Sequence, residues 1–239
     1  MEGSDLIMRS MPMWRSRGKR LGCLLLVLFV LSGCGNQTDI SSNNTKAKDS
    51  LKQETDSSKK TLIAYFTLAD NYEDPSDMDA TSQASLNVED KDFIGNTEYL
   101  ANAIQAETGG DLFSVVVKNR YPNDYDRIVD MGSEEQEENA RPELFSHVDN
   151  MEQYDTVFVG FPIWWGEAPA IINTFLESYQ WNSKTIVPFC TAISSSIGNS
   201  SINLEPSAAG NPVWISGRRL ERNISKREVE NWISKLDIS

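Results

Sequence analysis

The sequence predicts an α/β fold in which a mostly parallel sheet carries helices on both faces. Two observations predict it. Short apolar runs without charge alternate with amphipathic stretches from residue 61 onward, and the runs lack the in/out alternation of a sheet wetted on one side. Strands separated by helices imply crossover connections, and crossovers give parallel neighbours.

Each element has its own signal. Thr61–Phe66 is the most compact apolar run and is expected to be the central strand. Leu112–Val117, Thr156–Phe161 and Thr185–Cys190 read as the next three strands, and Pro212–Ile215 as a weaker fifth. Leu100, Ala103 and Ile104 mark a first helix. Ile171, Ile172, Phe175, Leu176 and Tyr179 mark another, with Pro169 near its first turn, where a missing N–H costs little. Ser225 and Glu228 have capping-box spacing ahead of Val229, Trp232, Ile233 and Leu236, which predicts a final helix.

The N-terminal part reads differently. Arg15, Arg17, Lys19 and Arg20 precede an apolar run from Leu21 to Leu31, too short for a typical membrane span but suited to a secretory signal. The run ends in Leu31-Ser32-Gly33-Cys34, which resembles a bacterial lipobox, so residues 1–33 are expected to be a lipoprotein signal peptide and Cys34 the lipidated residue. Residues 34–60 are rich in Ser, Asn, Thr, Lys and Asp and are expected to tether the lipid to a domain spanning 61–239. The resulting location is extracytoplasmic, at a bacterial membrane.

Composition excludes several function classes. The chain has 22 Lys and Arg against 35 Asp and Glu, a formal charge of −13, so a phosphate backbone would be repelled and no nucleic-acid partner is expected. Loss of residues 1–33 removes more basic than acidic residues, leaving the mature chain more acidic still. One histidine, His147, and three cysteines leave too few soft ligands for a structural zinc site. Once Cys23 departs with the signal and Cys34 is acylated, Cys190 is the only free thiol.

In an open parallel sheet, ligands sit beyond the carboxyl ends of the strands where strand order reverses, so the loops after strands one, three and four carry the functional reading. After the first strand comes Thr67-Leu68-Ala69-Asp70-Asn71, then an acidic stretch to Phe93-Ile94, then Gly95-Asn96-Thr97 opening the first helix. Hydroxyls and N–H groups at a helix N-terminus suit a phosphate, while Asn96 or Thr97 could equally serve as a plain N-cap. After the third comes Pro162-Ile163-Trp164-Trp165-Gly166, where two adjacent indoles cannot both enter a helix–sheet core and one is expected to face a planar ligand. After the fourth comes the small, hydroxyl-rich Thr191-Ala192-Ile193-Ser194.

Tyr65-Phe66-Thr67 with Gly95-Asn96-Thr97, the Gly160–Gly166 loop with Pro169 and Asn173–Leu176, and Pro188–Thr191 together resemble the flavodoxin-like family over essentially all of 61–239. The resemblance implies a doubly wound five-stranded parallel sheet of order 2-1-3-4-5 that binds FMN. It implies a phosphate site at Thr67, Leu68, Ala69, Asn96 and Thr97. The isoalloxazine would lie between Pro162–Gly166 and the loop containing Thr191, Ala192, Ile193 and Ser194, with Trp164 as the stacking ring and Trp165 as the alternative. The chain departs from the family twice. Its phosphate loop is split by the acidic residues 70–94, and Ala192-Ile193-Ser194 stands where a Ser-Gly-Gly stretch is usual.

The function expected on this basis is extracytoplasmic electron transfer or a flavin-dependent reduction by an FMN-binding lipoprotein, without a protein nucleophile or metal. An acidic surface would steer a basic redox partner protein, and a small electron acceptor is the other expected partner. The second reading, which the split loop and missing glycines support, is a lipoprotein that keeps the fold without flavin and serves as a binding or scaffold module. Arg141, among Glu134, Glu135, Glu137 and Glu138, is expected on a solvated helix and its turn. Cys190 is expected to be a packed residue at a strand end.

Overall fold

In the computed structural model the residues described are 60–74, 86–89, 92–192, 196–198, 200–221 and 223–238. The expected signal peptide, the expected lipidation site Cys34 and nearly all of the expected tether therefore lie outside the described residues, as do Ile193 and Ser194.

Eight strands and five helices are present among them. In chain order these are β1 (Lys60–Tyr65), β2 (Leu86–Glu89), β3 (Asp92–Gly95), α1 (Asn96–Thr108), β4 (Asp111–Ser114), α2 (Tyr125–Glu137), β5 (Tyr154–Pro162), α3 (Ala170–Glu177), β6 (Thr185–Thr191), α4 (Ser200–Leu204), β7 (Val213–Trp214), β8 (Arg218–Arg219) and α5 (Lys226–Ile233). The main sheet runs β4-β1-β5-β6-β7, with β8 also paired to β6, and every pairing in it is parallel. Counted along the chain without the β2–β3 pair, that is the expected order 2-1-3-4-5.

The uninterrupted apolar runs follow from cover on both faces. Successive residues of one strand feed opposite cores: Leu62 and Ala64 join Val157, Val159, Ile171 and Phe175 on one side, while Ile63 and Tyr65 join Phe158, Leu100, Ile104, Val229 and Trp232 on the other. Each such side chain, when fully buried, contributes about 1.5–3 kcal/mol, so both faces must be apolar for the sheet to persist. The capping box forms as expected. Ser225 Oγ accepts the Glu228 N–H at 3.3 Å, and a Glu228 carboxylate oxygen accepts the Ser225 N–H at 3.0 Å.

Three details differ from expectation. β4 spans Asp111–Ser114 and stops short of Val117, because beyond Ser114 the chain pairs with the segment around Leu144 instead of continuing the sheet. Gly95, not Asn96 or Thr97, occupies the N-cap position of α1. Residues 70–94 also contain structure of their own, an antiparallel hairpin in which Leu86 pairs with Gly95 and Glu89 with Asp92. The sheet reverses direction of growth at β1, which has β4 on one side and β5 on the other. The crevice beyond the ends of β1 and β5 is thus the switch point of a doubly wound fold.

Candidate functional site

Thr67 leaves β1 with its side chain buried and heads a short turn, Leu68–Asn71. Asn71 holds this turn to the segment that follows β4. Its Nδ2 donates to the Thr67 carbonyl at 2.7 Å and its Oδ1 accepts the Val117 N–H at 2.8 Å, with the side chain fully enclosed. The acidic excursion departs along Tyr121 and Asn123, for the Glu73 N–H donates to the Tyr121 carbonyl and the Asp74 N–H to Asn123 Oδ1. When the chain returns as β3, Gly95 comes directly against Thr67. A Cβ on Gly95 would stand 1.6 Å from Thr67 Oγ1, so a glycine is needed for the two ends of the excursion to meet.

The meeting puts Asn96 and Thr97 of the first turn of α1 beside Thr67 at the end of β1. Thr97 Oγ1 lies 3.1 Å from Thr191 Oγ1 at the end of β6, and the Ile163 N–H donates to the Thr191 carbonyl at 3.1 Å, which ties the helix start to both neighbouring loops. Two carboxylates of the described residues in these segments are occupied. Asp70 Oδ2 accepts the Ser114 hydroxyl at 2.5 Å, and Glu98 accepts the Gly95 N–H at 3.4 Å. Burial, with the Glu98 and Asp70 carboxylates adding to it, drives the Tyr65 hydroxyl far above its usual range, so Tyr65 stays protonated.

On the opposite side Trp164-Trp165-Gly166-Glu167 closes a two-residue hairpin, with paired backbone bonds of 2.8 and 2.9 Å between Trp164 and Glu167. Both central residues have positive φ, 49° at Trp165 and 88° at Gly166, as a type I′ turn demands. Gly166 accepts this freely; a tryptophan there costs about 1–3 kcal/mol, the kind of local strain that collects at functional sites.

Helix α2 supplies the compensation. Gln136 Nε2 donates to the Trp164 carbonyl at 2.6 Å, and Trp165 Nε1 donates to the Val129 carbonyl at 3.0 Å. Gly132 lets the Trp164 ring lie on the helix backbone, since a Cβ there would sit 3.2 Å from the indole. Phe66 and Tyr121 meet Trp164 edge-on, both at 5.4 Å between centroids. Tyr121 in turn donates to the Glu135 carboxylate at 3.1 Å, and burial raises the Glu135 carboxyl above its ordinary range against that bond.

Together these segments enclose a cleft of about 700 Å³. Of the residues read from the sequence, Thr67, Leu68, Asn96, Thr97, Pro162, Ile163, Trp164, Trp165, Thr191 and Ala192 line it. Ala69 lies one residue further along the turn and Gly166 sits at the exposed apex of the hairpin, neither on the lining. Trp164 is half-buried and Trp165 is 61% exposed.

Residues not read from the sequence also line the cleft: Tyr125, Ile128, Val129 and Gly132 from one face of α2, and Glu221 with Asn223 before α5. Their spacing of three, four and seven is a helix face, which from sequence alone is indistinguishable from a core stripe. Glu221 is paired with Arg219. Arg141 is remote from the cleft, bound to Glu177 at 2.8 Å, and His147 is an exposed residue against Tyr179. Cys190 is buried, its thiol pushed up to about 12. Among the described residues no group of His, Cys, Asp and Glu could hold a metal ion, and no helix is long and apolar enough to cross a membrane.

Strand order and cleft define a doubly wound α/β protein with a cleft at its switch point. The chain belongs to the flavodoxin family, whose model matches residues 91–236. It is similar to a protein from Bacteroides eggerthii described as a flavoprotein, at 31% identity over 73% of this chain and 96% of that one, with a TM-score of 0.56. A second, from Bacteroides uniformis and likewise described as a flavoprotein, shares 30% identity over 74% and 99%, with a TM-score of 0.57. A flavoprotein from Lactobacillus acidophilus, solved in complex with FMN, has the same fold at 20% identity over 73% and 99% and a TM-score of 0.51. No curated protein matches the chain.

Proposed function

We propose that the cleft binds FMN and that the protein works in electron transfer or a flavin-dependent reduction outside the cytoplasm, anchored through a lipid on Cys34. The observation that carries the reading is the contact of Gly95 with Thr67. It brings Thr67, Asn96 and Thr97 to the polar end of a cleft whose other end is aromatic, which matches a ligand with a phosphate tail and a flat head.

The residues present fit such a ligand. A helix N-terminus offers N–H groups that the helix itself does not use, and its dipole favours an anion. The Asp70 carboxylate, in the turn that begins the excursion, is engaged by Ser114. Thr67, Leu68, Asn96 and Thr97 would hold the phosphate. Pro162, Ile163, Thr191 and Ala192 would border the ring system, and Trp164 would stack on it. A bound flavin supplies the one- or two-electron chemistry. The chain contributes position: α2 fixes the Trp164 carbonyl through Gln136, the Thr97–Thr191 contact keeps helix and loop together, and the half-buried indole limits water at the ring. The acidic surface would draw a basic redox partner, weakening with salt.

Titrating FMN into the protein from residue 36 onward tests the reading. Quenched flavin fluorescence saturating near one equivalent is the expected outcome; no binding at high micromolar FMN would leave the flavin-free scaffold as the function.

A further inference from the structure

We propose that Trp165, with Tyr125 and Val129 of α2, forms a second aromatic subsite that takes a flat ring carrying no negative charge, beside a flavin stacked on Trp164. The proposal rests on the flavin reading for the word "beside" but not for the subsite itself.

The two indoles are held differently. Trp164 is half-buried and enclosed by Phe66, Tyr121 and the backbone at Gly132. Trp165 is 61% exposed, yet it is fixed at both ends: its backbone by the hairpin bonds and its Nε1 by the Val129 carbonyl at 3.0 Å. An indole whose N–H is already bonded to protein presents an apolar face whose ordering cost has been met before any ligand arrives. Tyr125 and Val129 stand one helical turn apart and line the cleft with Trp165 on that side.

Charge selects the ligand class. Beside Tyr125 and Val129 in sequence α2 carries Asp126 and Asp130, and its one guanidinium, Arg127, is bound to Glu134 at 3.3 Å. Glu221 is the only charged residue lining the cleft among those described. A ring bearing a negative charge would meet repulsion without a counter-charge, whereas an uncharged one loses nothing.

Calorimetric titration of the purified full chain, with and without saturating FMN, tests this with menadione as the uncharged probe and lawsone, a naphthoquinone of similar size that is anionic at neutral pH, as its counterpart. Menadione is expected to bind both forms, and lawsone at least about ten-fold more weakly. Trp165→Ala should weaken menadione about ten-fold. Trp165→Phe, which keeps a ring but not the N–H bond, should hold menadione within about three-fold of the parent. Competition between menadione and FMN, loss of FMN instead of menadione in Trp165→Ala, equal loss in the Phe and Ala variants, or no menadione binding would each overturn the subsite. Menadione binding that depends on Trp165 in a chain that binds no FMN would uphold the subsite and reject the flavin reading.

Discussion

Replacing Gly95 by alanine probes the joint between the two ends of the acidic excursion. The new Cβ would stand 1.6 Å from Thr67 Oγ1, 2.7 Å from Thr67 Cβ and 3.1 Å from Thr67 Cγ2. Rotation of the threonine side chain relieves the first contact but cannot move its Cβ. Normal carbon–carbon separation begins near 3.5 Å, so roughly 0.8 Å of backbone displacement remains between β1 and the start of α1. Overpacking of this kind costs about 1–3 kcal/mol, and at about 2–4 °C per kcal/mol for a domain of this size Tm should fall by roughly 2–12 °C. FMN should lose at least one phosphate hydrogen bond, weakening by roughly 10–100-fold. Thermal melts followed by circular dichroism and fluorescence titration give the two numbers. Thr67→Gly in the Gly95→Ala background should restore part of both losses, because it removes the opposing atoms. A Gly95→Ala protein that melts within about 1 °C of the parent and binds FMN within about two-fold would show that the two segments do not touch.

Other substitutions test other joints. Gly132→Leu should expel the Trp164 ring from α2 at a cost of about 1–3 kcal/mol and change the near-ultraviolet dichroism of the tryptophans, read in urea unfolding and spectra. Glu135 has a carboxyl raised above 4.5 by burial, so folding favours its protonated form: the penalty for ionising it is absent below about pH 4.5 and grows as pH rises through the folded value. Glu135→Gln, which can still accept the Tyr121 hydroxyl, should therefore raise Tm at pH 8 and give no gain at pH 4, in melts across that range. Ser225→Ala should cost about 1 kcal/mol by removing the cap of α5, without altering FMN affinity.

Legibility in the sequence followed how local each cause is. β1, β5 and β6 announce themselves because cover on both faces demands apolar runs, and α5 because its capping box lies within four residues. The two-residue β7 shows only as the weaker run Pro212–Ile215, and β8, equally short, leaves almost no pattern. The hairpin β2–β3 is hidden in an acidic stretch, where charge suggests a plain loop.

At the site, the strand-end loops were readable because the switch point of such a sheet tells where to look. Ten of the predicted lining residues sit in one cleft, but the part played by α2 was not readable. Gly132 and Gln136 matter only because a loop distant in sequence lies against them, and the run of glutamates around them reads in sequence as a solvated face. The engagement of Asp70 was unreadable for the same non-local reason, since Ser114 on the neighbouring strand holds that carboxylate.

The most direct measurement compares FMN with riboflavin, which lacks only the phosphate. If Thr67, Asn96 and Thr97 cradle that group, FMN should bind at least about 100-fold more tightly than riboflavin, the worth of one or two charge-assisted bonds, and the ratio should collapse in Gly95→Ala. Equal affinity for the two compounds would contradict the account, because the joined ends of the excursion would then hold no anion.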